Sequence, residues 1–243
     1  MTQRSYRQYC PIAHALDGVG DRWALLVVRD LLLGPKRYGD LMRGLPGIAT
    51  NVLTDRLKGL EAAGVVRRRV LEPPAASSVY ELTARGRDLQ GVVEALARWG
   101  GRTLGPLEPG QTVSEESVML GLRTMFESVA LAGGRATYEV RLEEGLSAGV
   151  FGVRVDGADG EYLTLARGAP DDPDAAIRTD VETLFAISSG RESLREAVDR
   201  GAVALDGSSE VMARLVGQAE RRGPGDVRAG GDGRRAPGTG QEG

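Results

Sequence analysis

Short polar side chains follow one stripe of a helix predicted around residue 55. Apolar residues recur at helical spacing between 52 and 60, which indicates that the other stripe of this helix is buried. The exposed stripe presents groups that hydrogen-bond to base edges and phosphates in the major groove of DNA. Its members are Thr50, Asn51, Thr54, Asp55 and Lys58. Arg56, on the same helix, could contact DNA or form a salt bridge within the helix.

A run of three arginines follows this helix on a predicted strand. Successive strand residues face opposite ways, so Arg67 and Arg69 share one face and Arg68 points away. We expect Arg67 and Arg69 to reach a phosphate or the neighbouring minor groove, with Ser77 contributing from the same hairpin. The alternative is an ordinary solvated strand face.

Two further basic residues, Lys36 and Arg37, precede the first helix of the predicted pair. That position suits contacts to backbone phosphates. An ordinary surface location fits the same residues equally well.

These candidate contacts require a helix, a tight turn, a second helix and a hairpin in succession. Pro46-Gly47 breaks the apolar pattern between the two helices, and Gly64 ends the second. Strands are predicted over 65–71 and 79–83, around a tip in which proline and serine are tolerated. This order, over residues 38–82, is the usual layout of a winged helix-turn-helix.

The segment before this layout predicts two helices rather than one. Its apolar pattern extends over residues 11–33, but Gly18 and Gly20 interrupt it. We expect Asp21 to cap the second of these helices and Trp23 to anchor it to the core.

The segment after the layout, residues 83–104, predicts a single helix with Thr83 as its N-cap. It is more apolar than a solvent-facing helix needs to be. It therefore packs on the first helix of its own chain or on a second subunit. A homodimer formed through the N-terminal helix and the 83–104 helix would suit a two-fold operator in double-stranded DNA.

Cys10 is the only cysteine of the chain, so no intrachain disulfide can form and a reducing compartment is expected. His14 follows at i+4, which raises a cysteine–histidine nucleophilic pair as an alternative. No carboxylate orients that pair, and two side chains are too few for a metal site. We therefore expect no enzyme activity, no metal and no cofactor.

Charge divides the 243-residue chain into two unlike halves. Residues 1–105 hold 16 lysines and arginines against 10 acidic residues, a balance of +6, whereas the remainder holds 15 against 24, a balance of −9. Such asymmetry predicts that only the first half meets a polyanion. No apolar run reaches the roughly 18 to 20 residues of a membrane span, so we expect a cytoplasmic protein without membrane contact.

The second half predicts a domain of its own. We place a first domain at 1–105, a linker rich in proline and glycine at 106–113, and a second domain at 114–220. In the second domain a helix is followed by strands with alternating apolar residues, then by short helices and strands. Residues 221–243 contain almost no apolar side chain and are predicted to be disordered.

Residues 8–104 contain an ordered series of short motifs. They are Cys10-Pro11, Gly20-Asp21-Arg22-Trp23, the run at 31–38, Leu45-Pro46-Gly47-Ile48, the run at 53–58, and Tyr80-Glu81-Leu82-Thr83 with Gly86. In this series the segment resembles bacterial transcriptional regulators of the HxlR type. The resemblance implies a dimeric winged-helix repressor or activator whose terminal helices form the dimer, and some members sense electrophiles or disulfide stress through a cysteine at the position of Cys10. Gly59 and the small pair Thr50-Asn51 depart from the family pattern, so no operator sequence can be transferred.

In residues 115–219 a helix, antiparallel strands and a loop are followed by further helices that short motifs separate. The motifs are Ile177-Arg178-Thr179-Asp180, Gly190, Gly201-Ala202-Val203 and Gly207. In this order the segment resembles the sterol-carrier-protein-2-like fold. This resemblance implies an antiparallel sheet covered by helices, with an apolar cavity for a lipid-like ligand, and an α+β fold class for the chain as a whole. Packing into an ordinary core is the alternative for the cavity candidates. They are Phe126, Phe151, Val153, Leu163, Leu184 and Phe185, with Leu194 and Leu215.

Together these features favour a homodimeric DNA-binding transcriptional regulator that a hydrophobic small molecule modulates through its second domain. One alternative is a lipid or sterol-like carrier. Another is a regulator that senses redox state through Cys10 without small-ligand control. An acyl or thiol transferase would need a nucleophile with a partnered base, which the sequence does not offer.

Overall fold

The computed structural model describes residues 5–72, 77–131, 135–143, 148–156 and 163–219. The chain has an α+β architecture made of two units, and each unit has its own hydrophobic core. Most of the predicted hairpin tip and the predicted disordered tail at 221–243 fall outside the described residues. None of the helices in the described part of the chain combines the length and the apolar character that crossing a membrane requires.

The first unit is a bundle of helices with a two-stranded antiparallel hairpin. Its core is formed by apolar residues of the second, third and fourth helices, among them Val27, Leu41 and Leu53. Gly64, with φ of +68°, ends α4 in a left-handed conformation, as predicted. The elements are α1 Pro11–Val19, α2 Ala24–Leu32, α3 Tyr38–Gly44, α4 Thr50–Ala62, β1 Val66–Val70, β2 Ser78–Leu82, α5 Ala84–Arg87 and α6 Gln90–Gly101.

Two predictions for the flanking helices are wrong in detail. Asp21 does not cap α2, because Trp23 occupies the N-cap position and the Asp21 carboxylate pairs with Arg56 of α4 instead. The 83–104 segment is two helices, since α5 ends at Arg87 and α6 begins at Gln90. Thr83 does cap α5, and its hydroxyl also donates to the carbonyl oxygen of Gly64 at 2.6 Å. That bond holds α5 against the end of α4, whereas α6 packs on α2.

The second unit is a five-stranded sheet with helices packed against it. The strand order is β5-β4-β3-β6-β7. The predicted antiparallel meander of β3, β4 and β5 is confirmed, but β6 pairs with β3 in parallel, so the sheet is mixed rather than antiparallel throughout. The elements are α7 Glu115–Leu131, β3 Arg135–Leu142, β4 Gly149–Asp156, β5 Leu163–Arg167, β6 Ala175–Thr179, α8 Val181–Ser188, α9 Leu194–Asp199, β7 Ala204–Gly207 and α10 Ser209–Ala219.

The core of the second unit lies between α7 and the sheet. The rings of Phe126 of α7 and Tyr138 of β3 pack at a tilt of 54° with 4.8 Å between their centroids, and both side chains are fully buried. Most of the predicted cavity residues belong to this core, namely Phe126, Phe151, Val153, Leu184, Leu194 and Leu215. For them the structure favours the core-packing alternative. Leu163 and Phe185 are only partly buried at its edge.

The two units contact each other through helices. α2 contacts α7, and α6 contacts α8. Residues 106–113, the predicted linker, contain neither helix nor strand. Leu120 of α7 belongs to the core of the first unit, so the two cores meet at this helix.

Candidate nucleic-acid interface

The fourth helix presents a polar stripe to solvent. Leu53, Leu57 and Leu60 are almost completely buried and fix which side of α4 faces the core. On the outward side Thr50, Asn51 and Lys58 are exposed, and Thr54 and Asp55 are half-buried. This is the arrangement predicted for a recognition helix, although contact of these residues with DNA stays a prediction.

Tyr38, which the sequence analysis did not single out, holds the first turn of α4. Its hydroxyl donates to the carbonyl oxygen of Thr50 at 2.8 Å and lies 3.2 Å from the Thr54 hydroxyl. The Thr54 hydroxyl also bonds back to the Thr50 carbonyl oxygen at 2.9 Å. Thr54 is therefore engaged within the protein, and Thr50, Asn51 and Lys58 are the more accessible contacts.

The arginines of the hairpin are organised by one buried acid. Glu81 lies opposite Arg67 in the strand register, and it accepts hydrogen bonds from Arg67 Nε at 2.7 Å and from Arg69 Nε at 2.9 Å. Burial raises the pKa of Glu81, but the bonds and charges of the two arginines outweigh it, so the net pKa lies below its ordinary value. The ionised carboxylate holds both guanidinium groups on one face of the β1–β2 hairpin, which we call the wing.

The predicted division of the arginine run is confirmed. Arg67 and Arg69 share a face with Glu81, whereas Arg68 bonds to the Ser78 hydroxyl at 2.5 Å. The Arg67 and Arg69 side chains remain 64% and 48% exposed, so both can still reach a phosphate. The hydroxyl oxygen of Ser77, by contrast, is buried, which disfavours its predicted contact with DNA.

Two of the predicted DNA contacts are occupied by ion pairs. Arg56 pairs with Asp21 of the loop before α2, not with a residue of its own helix. Lys36 Nζ lies 3.0 Å from Glu116 Oε1 of α7, so it joins the two units. Either side chain would have to leave its partner to bind a phosphate. Arg37 is exposed at the start of α3, as a phosphate contact requires.

A buried polar cluster lies where α2 meets α7. Arg29 donates to Asp30 at 2.8 Å, to the Ser117 hydroxyl at 3.1 Å and to the carbonyl oxygen of Gly44 at 3.4 Å. Asp30 is completely buried. Burial raises its pKa to about 6, although Arg29 opposes the shift, and the charge of Glu116 adds to it. This cluster ties the end of α3 to the second unit.

Cys10 lies at the N-cap of α1 and is half-buried. Its carbonyl oxygen accepts the backbone N–H of His14 at 2.9 Å, which is the ordinary first bond of the helix. His14 is exposed. Within the described residues no group of three or more histidine, cysteine or acidic side chains could hold a metal ion.

Large apolar side chains remain exposed on the two segments predicted to form a dimer. Trp99 of α6 is 74% exposed and Ile12 of α1 is 71% exposed. We call this set the apolar face; its members are Tyr9, Ile12, Leu16, Val92, Leu96 and Trp99. Single exposed apolar residues are common, but several of them on two short segments indicate a candidate interaction surface.

Comparison with known proteins places the first unit in a family. Residues 18–108 match the model described as HxlR-like helix-turn-helix. The uncharacterized HTH-type transcriptional regulator sll1512 of Synechocystis sp. is 42% identical over 91 residues, which make up 37% of this chain and 67% of that protein. The HTH-type transcriptional regulator YodB of Bacillus subtilis is 36% identical over 108 residues, or 44% of this chain and 94% of YodB.

Among solved structures, the reduced form of YodB from B. subtilis aligns with 42% of this chain and 100% of that chain, at 32% identity and a TM-score of 0.36. Residues 18–108, which the family model matches, include all of α2 to α6 and the hairpin between them. Through this unit the chain belongs to the family of HxlR-like helix-turn-helix proteins.

Proposed function

We propose that the protein is a DNA-binding transcriptional regulator that acts as a homodimer. The observation that supports this most directly is the exposed polar stripe of α4 beside the arginines of the wing, in the basic half of the chain. The relatives named above are HTH-type transcriptional regulators.

The geometry divides the DNA contacts into two kinds. α4 would enter the major groove, where an asparagine such as Asn51 can make two hydrogen bonds to an adenine. Arg67 and Arg69, held by Glu81, would lie along the neighbouring backbone and fix the register without selecting sequence. Asn51 therefore determines specificity, and the wing determines affinity.

The direct test is a gel-shift scan on the promoter region next to the gene that encodes the protein, at several salt concentrations. Asn51→Ala should weaken binding to the preferred site by about 1–3 kcal/mol, roughly 5- to 150-fold, and relax the base preference at one position. Lys58→Ala is the matched comparison, because a phosphate contact should weaken binding to all sequences alike and lower the salt slope by about 1. The absence of any salt-sensitive shift would end the proposal.

For the second unit we propose a sterol-carrier-protein-2-like sensor that alters operator affinity when a hydrophobic small molecule binds. The layered arrangement of α7 against a five-stranded sheet supports this proposal. A lipid carrier is the competing function. A carrier would take up ligand with the same affinity in Asn51→Ala and Arg67→Ala variants, and DNA would have no effect on that affinity.

A redox response through Cys10 is the second candidate for regulation. The thiol lies at the N-terminus of a helix and next to Tyr9 and Ile12 of the apolar face. Because the chain has one cysteine, an oxidant that removes two hydrogens from two thiols can join only two chains.

Diamide should therefore convert the wild-type protein into a disulfide-linked dimer on a non-reducing gel and change its operator affinity at least about fivefold, the lower end of allosteric coupling. Cys10→Ser should bind the operator as the wild type does and ignore diamide. The same response in both proteins would dismiss the switch and leave small-molecule control as the remaining regulation.

A further inference from the structure

A cavity of about 360 Å³ lies between the two units. One wall comes from α2 and α6 of the DNA-binding unit, through Leu25, Val93 and Leu96. The other wall comes from α7 and α8 of the second unit, through Leu120 and Phe185. Phe185 is the one residue of the predicted ligand pocket that lines this cavity.

Small residues explain why the helices leave this space open. At one edge the two units are in direct contact, because a Cβ on Gly101 of α6 would lie 2.3 Å from the Cβ of Ser189, the residue that follows α8. The lining also includes Ala97 and Ser188, whose side chains are too short to fill the gap, whereas Phe185 packs closely over Gly121. We call the contact between α2 and α6 of the first unit and α7 and α8 of the second unit the seam. The short side chains along the seam therefore leave this cavity unfilled.

The lining selects the chemistry of an occupant. Among the described residues that line the cavity, Arg29 is the only charged one, and Asp30 already pairs with it. An ionic ligand would thus meet no uncompensated charge. A volume of about 360 Å³ lies at the lower end of the range for small-molecule sites, which are mostly apolar and common at domain interfaces. It is too small for a helix, whose diameter with side chains is about 10–12 Å.

A second, larger depression in the second unit has different walls. It measures about 920 Å³ and is lined largely by charged side chains, several of them paired, such as Arg200 with Glu192. Apolar molecules would gain little there. The seam is therefore the better candidate for a hydrophobic ligand.

We propose that the cavity between α2, α6, α7 and α8 binds a small, uncharged, largely apolar molecule, and that this site, not the core of the second unit, is where the effector acts. The binding site stands on the geometry alone. Its regulatory role rests on the proposed function.

Arg29 connects the cavity to the helix-turn-helix. Its guanidinium lines the cavity and bonds to Ser117 at the start of α7, and it also bonds to the carbonyl oxygen of Gly44, the last residue of α3. α6, which forms another part of the wall, contributes Leu96 and Trp99 to the apolar face. A ligand that shifts the seam would thus move both the helix before α4 and the helix proposed to form the dimer.

The test uses the full chain and N-phenyl-1-naphthylamine, an uncharged aromatic probe whose fluorescence rises in apolar surroundings. We expect saturable binding to the wild type. Ala97→Phe should weaken binding at least tenfold, because Ala97 lies exposed at the rim of the cavity and the added ring blocks its opening from α6. Ala213→Phe is the matched control: it adds the same ring at an exposed position of α10 and should leave binding unchanged. Thermal unfolding checks that each variant folds.

If Ala97→Phe does not fold, Ser188→Leu narrows the cavity from α8 and should have the same effect on the probe. The proposal is overturned if the probe does not bind, or if both cavity variants bind it as the wild type does. It is also overturned if Trp99→Ala alone removes binding, which would assign the probe to the apolar face.

Operator binding, measured on the same proteins with and without the probe, separates this inference from the proposed function. A wild type that binds the probe but no DNA would retain the site and refute the function. A wild type that binds its operator with no probe effect, while the cavity variants lose the probe, would refute only the regulatory role.

Discussion

Trp99→Asp is expected to turn the homodimer into a monomer and to weaken binding to a two-fold operator roughly a hundredfold or more. Trp99 is 74% exposed in the single chain, on the apolar face of α6. Tryptophan is the residue most often found at energetic centres of interfaces, where truncation costs about 2 kcal/mol or more, and a buried unpaired carboxylate costs more still. A monomer also loses the gain of binding two half-sites at once, about 10²- to 10⁴-fold.

Sedimentation velocity of the purified variant measures the first effect, and gel shifts on a full operator and on a half-site measure the second. Affinity for the half-site should change little, because α4 and the wing are untouched. Trp99→Phe is the conservative control and should keep the dimer, since it retains an aromatic apolar contact. A Trp99→Asp protein that sediments as a dimer would show that the subunits meet elsewhere.

Local patterns were enough to predict the DNA-binding unit. The spacing of Leu53, Leu57 and Leu60 determined which stripe of α4 is buried, and alternation along β1 separated Arg67 and Arg69 from Arg68. These features depend on helix and strand periods, which act over a few residues. The break between α5, which ends at Arg87, and α6, which begins at Gln90, was not predicted.

Partners that are distant along the chain could not be predicted from local patterns. For Lys36 and Arg56 the sequence left open DNA contact, an ordinary surface position or a salt bridge, and in the structure they pair with Glu116 and Asp21. Basic residues give the same sequence signal whether they bind phosphate or a carboxylate. Only the fold decides which carboxylate comes within reach. Glu81 was a different case, because the hairpin register places it opposite Arg67 and could have revealed it.

In the second unit, alternation predicted strands but not their order. Apolar residues alternate along β3 and β4, and both strands form as expected. The insertion of β6 beside β3 depends on packing between distant segments, which leaves no periodic signal. The sequence also left open whether Phe126 and Val153 line a cavity or pack in the core, because apolar residues serve in both, and in the structure both belong to the core.

Between pH 4 and pH 7, Asp30→Asn is expected to gain about 3 kcal/mol in free energy of unfolding relative to the wild type. Asp30 is fully buried at the junction of the two units, and one of its carboxylate oxygens accepts from Arg29. Its other oxygen has no hydrogen-bond partner among the described residues. Burial, with a contribution from Glu116, raises the pKa of Asp30 from 3.8 to about 6. The folded protein therefore holds this proton more tightly than the unfolded chain does.

The sign of the effect follows from that difference. The stabilisation linked to protonated Asp30 is fully present below about pH 4 and is lost as pH rises through about 6. A difference of about two pKa units corresponds to about 3 kcal/mol. Asparagine cannot ionise, so the variant should gain stability relative to the wild type by that amount between pH 4 and pH 7. Glu81 and Glu116, with lowered pKa values, act in the opposite direction in both proteins and largely cancel in the comparison.

Urea unfolding at pH 4, 5, 6 and 7, followed by tryptophan fluorescence, measures this difference. Both tryptophans, Trp23 and Trp99, lie in the DNA-binding unit, so the signal reports the unit that holds Asp30. Asp88→Asn, at an exposed position, shows the effect of removing one surface carboxylate. If the wild type and Asp30→Asn differ in stability by the same amount at every pH, Asp30 stays ionised across this range. The seam between the units would then be held by a permanent ion pair with Arg29 rather than by a group that titrates near neutral pH.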